Sequence, residues 1–205
     1  MADKIDPKKT ALIILDLQND VISDGGAFAD SGAPEHAKSQ NIVENVKRLA
    51  DTFRKKGGQV IHIHHFGNQG SSHDRDSKQN AGLYRSVRET GALQAGTWGG
   101  EPVEGLEPQD GDIVIQKQRM GGFSHTPLDI KLRGLGAEKI VITGAWTNMS
   151  VEMTTRQGAD NGYEVVVVSD GTSTVNEDFQ KAALEYAVPN LAEVATTDEV
   201  IAAIG

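Results

Sequence analysis

Cysteine is absent from the 205 residues. That excludes disulfides, a cysteine-ligated zinc and a thiol nucleophile. Positive charge is scarce as well. Twenty Lys and Arg face 29 Asp and Glu, for a formal net charge of −9, and no basic run appears. Nucleic acid and anionic membranes reward clustered Lys and Arg, so neither is expected as a partner. No apolar stretch is long enough to span a bilayer, and the opening Met-Ala-Asp-Lys-Ile-Asp-Pro lacks a signal-peptide core. The expected location is the cytoplasm. No Gly-x-Gly-x-x-Gly or Walker pattern follows a strand, so no nucleotide cofactor is expected. With no repeat, linker or composition break, residues 1–205 read as one domain, long enough for a substantial core.

What is present is an alternation. Short apolar, β-branched runs at residues 11–17, 59–66, 112–117, 139–143, 164–170 and 191–195 suit buried strands. Between them, Ile42, Val43, Val46, Leu49, Ala50 and Phe53 recur at helical spacing, and Gly57-Gly58 marks the stop. Further helices are expected over 127–133, from Met149 onward with Val151, Thr155 and Ala159 on one face, over 179–188, and over 198–204 with a cap at Thr197 or Asp198. Strands alternating with helices predict an α/β fold. It is a three-layer, six-stranded, mainly parallel Rossmann-like sheet with helices on both faces.

Ligands in such sheets bind beyond the carboxyl ends of the strands. Asp16 interrupts an otherwise apolar run, and a buried carboxylate is costly unless paired or used. Lys117 closes the third strand. The fourth ends in a turn carrying Trp146, Thr147, Asn148 and Ser150, where a helix N-terminus supplies unpaired N–H groups. Capping alone would also account for Thr147, Asn148 or Ser150. Within the polar, glycine-rich stretch 67–110, Trp98 reads either as a pocket wall or as a surface aromatic folded back on the core. His62 and His64 share a strand face, and His73 follows. Such a pair can hold zinc, but no neighbour completes a site, so no metal is expected.

The motifs in order resemble the isochorismatase-like hydrolases, also called the cysteine hydrolase superfamily. They are Leu15-Asp16-Leu17-Gln18-Asn19-Asp20, Gly96-Thr97-Trp98-Gly99, Lys117 through Phe123, Leu132-Arg133-Gly134-Leu135-Gly136, and Thr143 through Glu152. The resemblance implies an Asp–Lys–Cys catalytic set mapping on Asp16, Lys117 and Ser150. It also implies a cis peptide before Trp146 and an oxyanion hole from the backbone N–H groups of Trp146 and Ser150. It further implies a small-molecule substrate and a homodimer or homotetramer. The long loop is expected to shape the substrate site, with Phe28, Trp98, Phe123 and Trp146 as its apolar walls.

Ser150 is the departure. A hydroxyl is far harder to ionise than a thiol, so a serine here implies slow amide chemistry. Either Ser150 is native or it replaces a cysteine in an amidase. The leading expectation is hydrolysis of a small amide or ureide C–N bond. A cysteine-independent vinyl ether hydrolysis and a catalytically silent ligand-binding homologue are the alternatives.

Overall fold

The computed structural model describes residues 4–67 and 82–205. His73 lies outside them. Six parallel strands form one sheet in the order β3-β2-β1-β4-β5-β6. They are β1 (Thr10–Leu15), β2 (Gln59–His65), β3 (Ile113–Lys117), β4 (Lys139–Ala145), β5 (Glu164–Ser173) and β6 (Glu193–Ala195). The order reverses between β1 and β4, the place where open parallel sheets leave a crevice at their carboxyl ends.

Strand pleating sorts the core into two halves. Leu12 and Ile14 face one side with Val60, Val141, Val166 and Val168. There they meet the helix Ile42–Lys55, through Val46, Leu49 and Phe53, and Val200 of the C-terminal helix Thr197–Ala203. Ala11, Ile13 and Leu15 face the other side with Ile61, Ile63, Ile140 and Ile142. This half is covered by Leu128 and Leu132 of the helix Leu128–Gly134 and by Val151, Tyr163 and Val188. The three-layer α/β architecture expected from the sequence is therefore the one observed.

Several boundaries differ for local reasons. β1 stops at Leu15 because Asp16 takes a left-handed φ of 53°. β5 runs three residues past 170 because it bulges: Ile142 pairs with Val167, but Gly144 pairs with Thr172 and Ala145 with Ser173. Its Ser-Asp-Gly-Thr-Ser tail has none of the apolar character of a buried strand. The helix expected over 179–188 starts earlier, at Glu177, capped by the Asn176 side chain accepting from the Phe179 N–H at 2.9 Å. It then widens into a π turn over Ala182–Ala187 and tightens at Val188–Asn190. Pro189 offers no N–H and crowds the preceding turn, so a regular α-helix cannot continue. The final helix is capped by Thr196 rather than Thr197 or Asp198, because Glu199 completes a reciprocal capping box with Thr196.

Gly144 carries the tightest constraint in the sheet. Its φ is +124°, and a Cβ there would lie 2.1 Å from the Leu15 carbonyl oxygen. Backbone atoms of the neighbouring strand cannot yield as a flexible side chain would. Gly144→Ala is therefore expected to destabilise the fold by about 3 kcal/mol. Urea unfolding followed by far-UV circular dichroism measures this, and an unchanged midpoint would count against the crowding.

β2 carries three buried histidines. Burial pushes His64 down to about 4, with His62 adding to the effect. Burial also lowers His62, against the pull of Asp112, and drops His65 well below 6.5 with Lys117 and Arg119 contributing. In the unfolded chain these rings protonate near pH 6.5. As pH falls below that value the unfolded state gains protons that the folded state refuses, so stability falls. His64 alone removes about 3 kcal/mol between pH 6.5 and 4, at about 1.4 kcal/mol per unit. The expected result is a urea midpoint that drops steeply over that range, and a shallower drop for His64→Phe.

Candidate active site

The residues after β1 tie the crevice together. The Asp16 N–H donates to the Ile63 carbonyl at 2.9 Å, continuing the β1–β2 ladder while φ turns left-handed. Asp is among the few residues with a side chain that tolerates this region. Gln18, fully buried, accepts from the His65 N–H at 2.8 Å and donates to the carbonyls of His65 and Gly100 at 3.0 and 2.7 Å. Asn19 donates to the Trp98 carbonyl at 2.8 Å, and Asp20 accepts from Ala27 and Leu93 N–H groups. The polar run that follows the strand thus fastens two loops to its end.

Three chain segments meet here. Lys117, at the last position of β3, is 1 % exposed, and its Nζ lies 2.8 Å from Asp16 Oδ2. Ser150 sits in a π turn over Thr147–Val151 that opens the helix Glu152–Asp160, just after β4. Its hydroxyl donates to Asp16 Oδ2 at 2.6 Å and accepts from Lys117 Nζ at 3.1 Å. Lys117 also faces the carbonyls of Arg119 and Met120 at 3.0 Å each, and His65 Nδ1 at 3.4 Å. Four oxygens around one nitrogen suit an ammonium, which donates and cannot accept. The Ala145–Trp146 peptide is cis, as the resemblance implied.

Burial sets the electrostatics. It pushes the Asp16 carboxyl up, against Lys117 and the Ser150 hydroxyl, which both favour the carboxylate. It pulls the Lys117 ammonium down, against Asp16. The buried pair is held by contacts on every side, yet Asp16 Oδ1 has no hydrogen-bond partner among the described residues.

Asp16 and Ser150 open onto a cavity lined also by Val21, Phe28, His65, Leu93, Trp146 and Met149. Phe28 and Trp146, two of the expected walls, meet edge to face at 5.6 Å. The other two expected walls do not line it. Trp98 is 57 % exposed and lies over Gly25, its loop held outward by the Asn19 bond to its carbonyl. Phe123 stacks on Tyr163 at 6.0 Å in the opposite half of the core. In their place stand Leu83 and Val87 of the helix Gly82–Thr90, with Leu93 and Met120. Val87 falls one turn after Leu83, the only signal the sequence offered.

Behind the π turn lies a polar brace that sequence reasoning missed. Gln180 is buried, accepts from the Thr147 hydroxyl, and donates to Ser169 and Thr172 at 3.1–3.2 Å. Thr174 donates to the Asn148 side chain at 2.6 Å. Thr147 and Asn148 therefore brace the turn rather than cap a helix. The strand histidines take other partners. His62 Nε2 lies 3.1 Å from Asp112, which is shared with Arg54 at 2.7 Å, and His64 packs edge-on against His62 and Phe66. No group of three metal-ligating side chains occurs among the described residues. Nor is any described helix long and apolar enough to cross a membrane.

The isochorismatase domain matches residues 10–199. The ureidoacrylate amidohydrolase RutB of Yersinia enterocolitica is 37 % identical over 185 residues, covering 85 % of this chain and 80 % of that protein. Its namesake from Serratia proteamaculans is 34 % identical over 189 residues, covering 88 % and 76 %. Among solved structures, a cysteine hydrolase from Pseudomonas syringae pv. phaseolicola superposes with a TM-score of 0.83 at 28 % identity, covering 98 % of this chain and 95 % of that one. A domain match over nearly the whole chain, the shared sheet and the two amidohydrolase relatives place this protein in the isochorismatase-like hydrolase family.

Proposed function

We propose that the protein hydrolyses the C–N bond of a small amide or ureide, with Ser150 as nucleophile, Asp16 as proton carrier and Lys117 as electrostatic partner. The observation that carries this is the Ser150 hydroxyl donating to Asp16 Oδ2 at 2.6 Å beside the Lys117 ammonium. The Ser150 O–H proton passes to Asp16 as Oγ attacks the substrate carbonyl carbon. Burial raises Asp16, which makes it a better base than an exposed carboxylate. Lys117, 3.1 Å from Oγ, favours the developing alkoxide.

The negative charge on the former carbonyl oxygen is met by the backbone N–H groups of Trp146 and Ser150. Asp16 then gives its proton to the departing nitrogen, the C–N bond breaks, and an acyl-serine remains. Water, deprotonated by Asp16, attacks that ester; the acid leaves and the hydroxyl is restored. Amidohydrolase relatives at 34–37 % identity support the C–N bond as the target.

The test is ammonia release from a panel of small primary amides and ureides, with Ser150→Ala as the control. Release that depends on Ser150 is expected. Release that persists unchanged in Ser150→Ala would remove the serine from the chemistry.

A further inference from the structure

Resting on that amide-hydrolase reading, we infer that Gln180 is a positioning residue for the reaction: through the Thr147 hydroxyl it holds the turn that carries Ser150 in line with Asp16 and Lys117. The start of that turn has no capping side chain. Trp146 stands at the cap position and makes no side-chain bond there. Its carbonyl accepts from the N–H groups of Met149 and Val151 at 3.0 and 3.3 Å. Thr147, the first residue of the turn, is fully buried, and its hydroxyl reaches out of the turn to Gln180 Oε1. Asn148 has its own bond, from Thr174, so the two braces can be tested apart.

The Gln180 amide fits only one way round. Its Nε2 lies 3.1 Å from the Ser169 carbonyl and 3.2 Å from that of Thr172, and a carbonyl only accepts, so this atom is the donor. Oε1 then faces Thr147, and the hydroxyl must donate to it. Thr172 is the residue that pairs with Gly144 across the β5 bulge. One side chain therefore ties the first residue of the turn to the sheet beside the end of β4. A buried, fully partnered amide adds little stability that an apolar side chain of equal size would not, but it fixes a single arrangement. Ser150 lies three residues on, with its hydroxyl 2.6 Å from Asp16 Oδ2. Displacing a nucleophile by about 1 Å can cost ~100-fold in rate.

The probe is p-nitrophenyl acetate. The burst of p-nitrophenolate counts competent sites, and its rate against concentration separates acylation from binding. Gln180→Met and the nearly isosteric Thr147→Val are each expected to slow acylation about 10-fold or more. The half-saturating concentration is expected to stay within about twofold, because Phe28, Leu83 and Val87 still line the cavity. The double variant is expected to be no slower than the slower single one, since both changes remove the same bond. Thr147→Ser, which keeps the hydroxyl, is expected to retain the parent rate. Asn45→Leu is the structural control. It removes another buried amide tied to β5, at the Asp170 carbonyl, and is expected to lower the urea midpoint without slowing acylation. Unchanged acylation per competent site in Gln180→Met and Thr147→Val, equal slowing in Asn45→Leu, or losses that multiply in the double variant overturns the assignment. The hydrolase reading fails separately, if the unaltered protein gives neither a burst nor acetyl on Ser150. Amide hydrogen exchange of the 146–151 peptide then decides. Exchange about 10-fold faster or more in Gln180→Met and Thr147→Val is expected, and unchanged exchange overturns the brace.

Discussion

Asp16→Asn is expected to lower kcat for amide hydrolysis by about 10³–10⁴-fold and to lower stability by about 3 kcal/mol. The two losses have different causes. An asparagine can fill the same space, but it cannot take the Ser150 proton. Attack on the carbonyl then proceeds from an un-ionised hydroxyl. The stability loss comes from Lys117. Its ammonium is fully buried and its shortest contact is to Asp16, at 2.8 Å. Removing the carboxylate leaves an uncompensated charge in the core, which costs more than the pair contributes when intact. Steady-state ammonia release gives the first effect and urea unfolding the second. A binding protein without catalysis would show the stability loss, keep its ligand affinity and have no turnover to lose.

Ser150→Cys is expected to raise amide turnover, by about 10²–10³-fold. By the family resemblance, position 150 corresponds to the thiol of the cysteine members. A thiol titrates about eight or nine in water and is a strong nucleophile once ionised. Here it would replace the hydroxyl that now donates to Asp16 Oδ2 at 2.6 Å, with an ammonium on its other side. The same base that labours against a hydroxyl is well matched to a thiol. Pre-steady-state release of a chromogenic leaving group separates acylation from deacylation, and the gain belongs to acylation. A Ser150→Cys protein no faster than the parent would mean that the chemistry at this position does not depend on nucleophile ionisation, as in a vinyl ether hydrolysis in which Asp16 donates a proton.

Much of this was legible in the chain itself because parallel strands buried on both faces leave little freedom. Ile13 and Leu12 must point to opposite sides, both sides are apolar, and helices must therefore cover both. Asp16 and Lys117 stood out because charge at the end of such a strand needs a partner. What was not legible depended on side chains meeting across the fold. Trp98 drew attention as an aromatic among glycines, yet Asn19 fixes its backbone and its ring falls over Gly25, outside the cavity. Leu83 and Val87 looked like any helical apolar pair. Gln180 gave no periodic signal, because its value lies in reaching Thr147, 33 residues away in the chain. The β5 tail was missed because a bulge lets polar residues pair where the apolar run has ended.

The proposed chemistry requires Ser150 to become covalently acylated. Rapid-quench intact-mass spectrometry with p-nitrophenyl acetate, followed by peptide mapping, tests it directly. A single acetyl group on Ser150, absent from Ser150→Ala and formed at least 100-fold more slowly in Asp16→Asn, is the predicted result. Acetyl on another residue, or acylation of Ser150 at an undiminished rate without Asp16, would contradict it.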